Sequence, residues 1–152
     1  MEKNKKLRVY VDTNIFISLL AFNSQKMRHF LEVVQMNHIL LLSTAVLDEI
    51  DEVLTRSFPK AIPLVSKMLR YLQYELIPTP IPTDLKYQEI VKQLPYIKDP
   101  DDVIIFVGAW LGKSDVIVSH DKKHFHTKEV KAVFTVMTVH DFLIKYDMHY
   151  KE

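Results

Sequence analysis

Apolar residues along the chain fall into short runs of strand length that alternate with stretches of helical spacing. Leu7-Arg8-Val9-Tyr10-Val11 is β-branched and aromatic, and it stops at Asp12-Thr13-Asn14, whose side chains favour turns and helix caps. A strand leading into a helix is predicted there. Ile15, Phe16, Ile17, Leu19 and Leu20, then Met27, Phe30, Leu31, Val33 and Val34, keep helical spacing, with a break near Asn23-Ser24 that would cap a second helix. Ile39-Leu40-Leu41-Leu42 is a continuous apolar run, followed by Ser43-Thr44 as a cap and by Val46, Ile50, Val53 and Leu54 at helical spacing. Pro59 and Pro63 punctuate the chain before a helix from Leu64 to Tyr74. Glu75-Leu76-Ile77-Pro78 reads as a short strand closed by Pro80 and Pro82, and a helix is expected from about Asp84 to Leu94. Asp115 to Ser119 and Val133 to Met137 complete the strands.

The run Val103-Ile104-Ile105-Phe106-Val107 is β-rich, yet its start signals favour a helix: Asp99 as N-cap, Pro100 at the first helical position, Asp101 and Asp102 in the first turn. Beyond that turn the helix is apolar nearly all round, the mark of a buried one. Strands alternating with helices indicate a parallel sheet covered on both faces, an α/β fold. One domain over residues 1–152 accounts for the pattern, with residues 1–6 as a basic N-terminal end.

Composition narrows the chemistry. The 152 residues are 48% hydrophobic, enough for one core, and 20 Lys+Arg against 19 Asp+Glu leave a net charge of +1. Binding to nucleic acid would therefore need locally clustered charge. No cysteine is present, which excludes disulfides, thiol catalysis and thiolate zinc sites and is compatible with a reducing compartment. The two glycines, Gly108 and Gly112, share one apolar stretch, so there is no glycine-rich phosphate loop. The most apolar run, Val103 to Leu111, falls short of the ~18 residues a membrane span needs. The charged start, Met1 to Arg8, is followed by an apolar segment that Asp12 and Asn14 interrupt at once. No export signal is expected; a soluble cytoplasmic protein is.

Open parallel sheets bind ligands at the carboxyl ends of their strands, and acids stand at two such places. Asp12 follows the first strand, and Asp121 follows Val116-Ile117-Val118-Ser119-His120. An Asx turn or helix cap explains either one alone. Asp102 lies over Phe106 and Ala109 on the apolar helix, a costly setting for a carboxylate that is neither paired nor metal-bound. On the helix after Ser43, Asp48 and Glu52 point away from the core stripe while Glu49 sits at its border. If these four acids converge without matching lysines or arginines, a divalent cation is implied. All-oxygen ligation suits Mg²⁺ or Mn²⁺, and the chemistry that follows is phosphodiester hydrolysis.

Val11-Asp12-Thr13-Asn14, Ser43 with Leu47-Asp48-Glu49-Ile50, Asp99-Pro100-Asp101-Asp102 and Ile117-Val118-Ser119-His120-Asp121 resemble, in order and spacing, the motifs of the PIN-domain ribonuclease family. The similarity runs from Val9 to about Leu143. It implies a three-layer α/β/α sandwich around a central, mostly parallel sheet of about five strands. Asp12, Glu49, Asp102 and Asp121 would be the catalytic, metal-binding acids, Asn14 and Ser119 polar residues of the pocket, and Asp99 an accessory acid. Ser119 stands where many relatives have threonine. The resemblance further implies single-stranded RNA as substrate, frequent homodimers, and, for compact members, the toxin role in a toxin-antitoxin pair inhibited by an antitoxin protein.

His120, His124 and His126 could bind zinc, but a surface loop is favoured. With Lys122, Lys123, Lys128 and Lys131 they form a basic patch that could hold RNA phosphates, Lys122, Lys123 and His124 foremost; an ordinary solvated face is an equal alternative. Lys3, Lys5, Lys6 and Arg8 read as a solubilising end. Tyr71 and Tyr74 could stack on bases, although aromatic residues on helices are usually core, and Trp110 is assigned to the core. Two other functions stay open: a catalytically silent binding module for nucleic acid or protein on the same fold, and a phosphotransfer receiver or phosphatase. The latter would want paired aspartates near the first strand, where this chain has Asp12 alone.

Overall fold

The structure, a computed structural model, describes residues 6–151 apart from the side chains of Leu20 and Ala21. Lys3 and Lys5 of the expected solubilising end lie outside the described residues. Five strands, β1 (Arg8–Val11), β2 (Ile39–Ser43), β3 (Glu75–Ile77), β4 (Val116–Val118) and β5 (Val136–Met137), form one sheet in the order β3-β2-β1-β4-β5. All four pairings are parallel. The expected α/β/α architecture is therefore present, with a sheet that is entirely parallel. β1 lies at its centre and is buried on both faces from Val9 to Val11. That is why its sequence reads as an unbroken apolar run.

Among the described residues the helices are α1 (Thr13–Ala21), α2 (Gln25–Asn37), α3 (Thr44–Ser57), α4 (Ile62–Tyr71), α5 (Leu85–Val91), α6 (Val103–Leu111), the single turns α7 (Lys122–Phe125) and α8 (Lys128–Lys131), and α9 (Val139–Tyr146). Right-handed crossovers that step from β1 out to β3 and then return to β4 put α2 and α6 on opposite faces of the sheet. α2 packs on α9 through Phe30 and Phe142, edge to face at 5.3 Å. α6 is buried from Ile105 to Ala109, and Phe106 lies against Phe125 at 4.8 Å. No helix is long and apolar enough to cross a membrane among the described residues.

α6 approaches the sheet closely enough to account for Gly108. A Cβ there would come within 2.7 Å of Tyr10 Oη and 2.8 Å of Ser43 Cβ, which no side chain tolerates without displacement. Asn23, between α1 and α2, takes a positive φ of 48° and Ser24 caps α2, where the sequence places a break.

Several boundaries differ from expectation. α4 starts at Ile62, so Pro63 falls in its first turn, where the missing N–H costs nothing, and does not stop the chain. It ends at Tyr71 because Leu72 turns extended. α5 is confined to Leu85–Val91. The first turn after Asp99 is a 3₁₀ turn over Pro100–Asp102 that runs into α6. β5 is shorter than the apolar run from Val133, because the Val133 and Phe134 N–H groups still bond to Val130 O of α8. Arg8 belongs to the fold: it pairs with Glu75 and donates to Gly112 O at 2.9 Å. Tyr71 is 78% exposed, while Tyr74 lies beside the start of β2, at the end of the sheet away from Asp12, and Trp110 is only half-buried against Phe134. The tyrosines thus contribute neither to the core nor to a site at the strand ends.

Candidate active site

The strand order reverses between β1 and β4, both neighbours of the same crevice, and such a switch point is where an open parallel sheet can hold a ligand. Asp12 stands at the carboxyl end of β1 on that crevice. Its backbone N–H donates to Val118 O at 3.0 Å, so β4 fixes its position. It occupies the N-cap position of α1, yet its side chain makes no cap hydrogen bond. Instead Asp12 Oδ2 accepts from Ser119 Oγ at 3.0 Å, and the residue is 4% exposed. The plain capping role is thereby excluded for Asp12.

The other three acids face it from separate elements. Glu49 is half-buried on α3, Asp102 ends the 3₁₀ turn before α6, and Asp121 follows β4. Burial first, and then the charges on Glu49, Asp102 and Asp121, push the Asp12 carboxyl up to about 7, against the opposing Ser119 hydrogen bond. Asp102 is pushed up to about 6 by burial, then by Asp99, with Glu49 and Asp121 adding to the rise and His124 opposing it. Glu49 is raised by burial, with Glu52 adding to it. The four acids predicted from the motifs thus share one electrostatic environment, and Asp99 belongs to it.

None of the four pairs with a lysine or arginine among the described residues. Among the described residues their only cation-capable partner is His124, whose Nδ1 lies 2.9 Å from Asp121 Oδ2. Asp121 also caps α7, accepting from His124 N–H, so the cap reading is right for this acid. Asp99 likewise caps its turn through Asp101 N–H. The donor set is all oxygen and its acids repel one another, the chemistry that Mg²⁺ or Mn²⁺ satisfies. Among the described residues no three acidic or histidine side chains are drawn together tightly enough to hold an ion by themselves. Magnesium and manganese, which keep several waters and bind through few carboxylates, fit this open arrangement better than a metal that needs a closed cage.

Ser119 is fully buried and joins the two strand ends: it donates to Asp12 and accepts from Asp121 N–H at 3.0 Å. Asn14, by contrast, is exposed on the first turn of α1. Its neighbour Thr13 is the buried one, near enough to Glu49 to favour that carboxylate's charged form, with no partner at full hydrogen-bonding geometry. Thr13 was not singled out from the sequence. The signal that could have found it is helix phase, which sends Thr13 inward with Phe16 and Ile17. The histidines do not converge: His120 accepts from Val139 N–H, His126 bonds Ser119 O and His124 pairs with Asp121. Lys122 and Lys123 are exposed on α7 beside the acids. On the opposite flank a polar groove of about 590 Å³ is lined by Asp48, Glu52, Arg56 and Asp101 together with Glu49.

A family model of the PIN domain matches residues 8–123. No curated protein matches the sequence. Among solved structures the chain is similar to VapBC2 from Rickettsia felis bound to a DNA fragment from their promoter, with a TM-score of 0.66 and 15% identity over 87% of this chain and 98% of that one. It is also similar to DNA-bound VapBC from Salmonella typhimurium (TM-score 0.62, 16% identity, 88% and 98% covered) and to VapBC-1 from nontypeable Haemophilus influenzae (0.59, 17%, 88% and 99%). At such identities the likeness speaks for the fold alone, and it agrees with the parallel five-stranded sheet. The chain belongs to the PIN-domain family.

Proposed function

We propose that this chain is a divalent-metal-dependent endoribonuclease, acting as one domain and serving as the toxin of a toxin-antitoxin pair. The observation that carries the reading is Asp12: a buried carboxylate at the switch point, free of any capping role and surrounded by three further acids without a lysine or arginine pair. Asp12, Glu49, Asp102 and Asp121 would hold Mg²⁺ or Mn²⁺, which when bound supplies an activated water and stabilises the leaving oxygen of a phosphodiester. Ser119 orients the Asp12 carboxylate toward its neighbours, and His124 orients Asp121. Lys122 and Lys123 offer positive charge on one flank, with His124 beside them, while Asp48, Glu52 and Asp101 make the other acidic. Phosphates of a single-stranded RNA are therefore expected to run across the α7 side.

The VapBC neighbours support an inhibitory partner protein, and a groove of about 580 Å³ between α2 and α4, lined by Leu31, Met36, Leu64 and Met68, offers it apolar surface. A homodimer is the other assembly this reading implies, and the absence of cysteine suits a cytoplasmic setting. The open spacing of the acids is also what a catalytically silent module would show. Incubation of the purified protein with a mixed RNA panel, after EDTA and with Mg²⁺ or Mn²⁺ restored, separates these readings. Cleavage that EDTA stops and either ion restores is expected. Cleavage that survives chelation would point to the histidines, and none under any condition would favour the silent module.

A further inference from the structure

Beneath the acids, one hydroxyl touches the elements that carry them. Tyr10 and Asp12 alternate onto the same face of β1. The Tyr10 side chain is fully buried, and its Oη donates to Ile105 O at 2.7 Å, in the first turn of α6. With its proton so used, Tyr10 Oη accepts from Ser43 Oγ at 2.8 Å, and Ser43 Oγ in turn accepts Val46 N–H at 3.1 Å, capping α3. Asp12 directly follows β1, α3 carries Glu49, and α6 follows directly on Asp102. Phenylalanine would fill the same space, so packing alone does not call for the hydroxyl. The missing side chain at Gly108 leaves it room: a Cβ there would stand 2.7 Å from Tyr10 Oη and 3.0 Å from Ser43 Oγ.

We propose that the Tyr10 hydroxyl, with Ser43 and the space at Gly108, is a positioning latch that sets the spacing of Asp12, Glu49 and Asp102 for a divalent ion. This rests on the reading of those acids as a metal site. Because the acids stand apart on three elements, small relative shifts of β1, α3 and α6 change the site more than they change the core. Loss of a group bonded directly to a ligand weakens metal binding roughly 10- to 100-fold, and Tyr10, which acts one contact further out, is expected at the lower end of that range.

The test is Mn²⁺ affinity by titration calorimetry or electron paramagnetic resonance, without RNA, alongside melting temperatures, for wild type, Tyr10→Phe, Ser43→Ala, the double variant, Gly108→Ala and Asp12→Asn. Tyr10→Phe is expected to bind Mn²⁺ roughly tenfold more weakly, and the double variant no more weakly than the worse single one. A purely structural tyrosine would lower the melting temperature and leave the affinity unchanged, and that result overturns the latch. If Tyr10→Phe does not fold, Gly108→Ala reads the same contact; a folded Gly108→Ala with wild-type affinity also overturns it. Asp12→Asn with wild-type affinity would instead overturn the metal site on which the latch depends.

Discussion

The Ser119 hydroxyl donates to Asp12 Oδ2 at 3.0 Å across 107 residues of sequence, joining the ends of β1 and β4. Ser119 Oγ in turn accepts from Asp121 N–H at 3.0 Å. One side chain therefore fixes one acid by its carboxylate and the other by its backbone. A hydrogen bond to a carboxylate favours the charged form, so Ser119 keeps Asp12 from rising further under burial and like charge.

Ser119→Ala should consequently raise the Asp12 pKa and move the acid limb of any metal-dependent activity to higher pH. The stability cost of the lost hydrogen bond is expected to be about 1 kcal/mol. A pH–rate profile and a denaturant melt check this. A threonine in its place keeps the hydroxyl and should keep the profile.

Metal-free stability should depend on pH in a definite direction. Asp12 and Asp102 titrate near 7 and 6 in the folded chain, against an ordinary value of 3.8. The folded chain then binds more protons than the unfolded one between those limits, so this contribution is fully present below about pH 4 and is lost as pH rises through about 7. Asp12→Asn removes most of that loss and is expected to be more stable than wild type at pH 8 without metal, by about 1–2 kcal/mol or roughly 3–6 °C in Tm. Mn²⁺ should raise the wild-type Tm in proportion to the logarithm of its concentration, and more strongly at pH 8 than at pH 6, since the ion competes with protons. Melts at both pH values, with and without Mn²⁺, measure all of this.

Glu49 separates from its neighbours on α3. It is half-buried and within reach of the Asp12 and Asp102 charges, whereas Asp48 and Glu52 are exposed and Glu52 pairs with Arg56. Glu49→Gln keeps size and helix propensity and is expected to reduce activity on the order of 10²-fold while weakening metal affinity. Asp48→Asn and Glu52→Gln should change activity by less than about threefold. Equal losses from all three would contradict the helix phase, and a silent Glu49 beside a sensitive Asp51 would move the site to the other side of α3.

Much of this was legible in the sequence because the chemistry sits in local signals: polar breaks after apolar runs, and a Pro-acid start on an apolar helix. Asp12 and Asp121 are identifiable by the first signal, Asp102 by the second and Glu49 by the phase of its helix, whereas Ser119 is implied by the family resemblance alone. What local pattern could not tell is which acids cap a turn. Asp12 and Asp121 both follow strands, yet Asp121 caps α7 and Asp12 caps nothing, because β4 lies beside β1 and brings Ser119 to it. The inward turn of Thr13 in place of Asn14 depends on the phase of α1 against the sheet. Tyr10 read as an ordinary strand aromatic, since its partner carbonyl at Ile105 lies 95 residues away. Tyr71, expected inside, is exposed because α4 buries only Val65 and leaves its outer face to solvent.

Cleavage by folded Asp12→Asn tests most directly whether Asp12 acts through a divalent ion on RNA. Wild type and variant are compared on the same single-stranded RNA in Mn²⁺, with circular dichroism and Tm confirming the fold. The variant is expected to fold, to be at least as stable as wild type without metal, and to lose cleavage on the order of 10²-fold or more. Wild-type cleavage by that folded variant would contradict this role of Asp12.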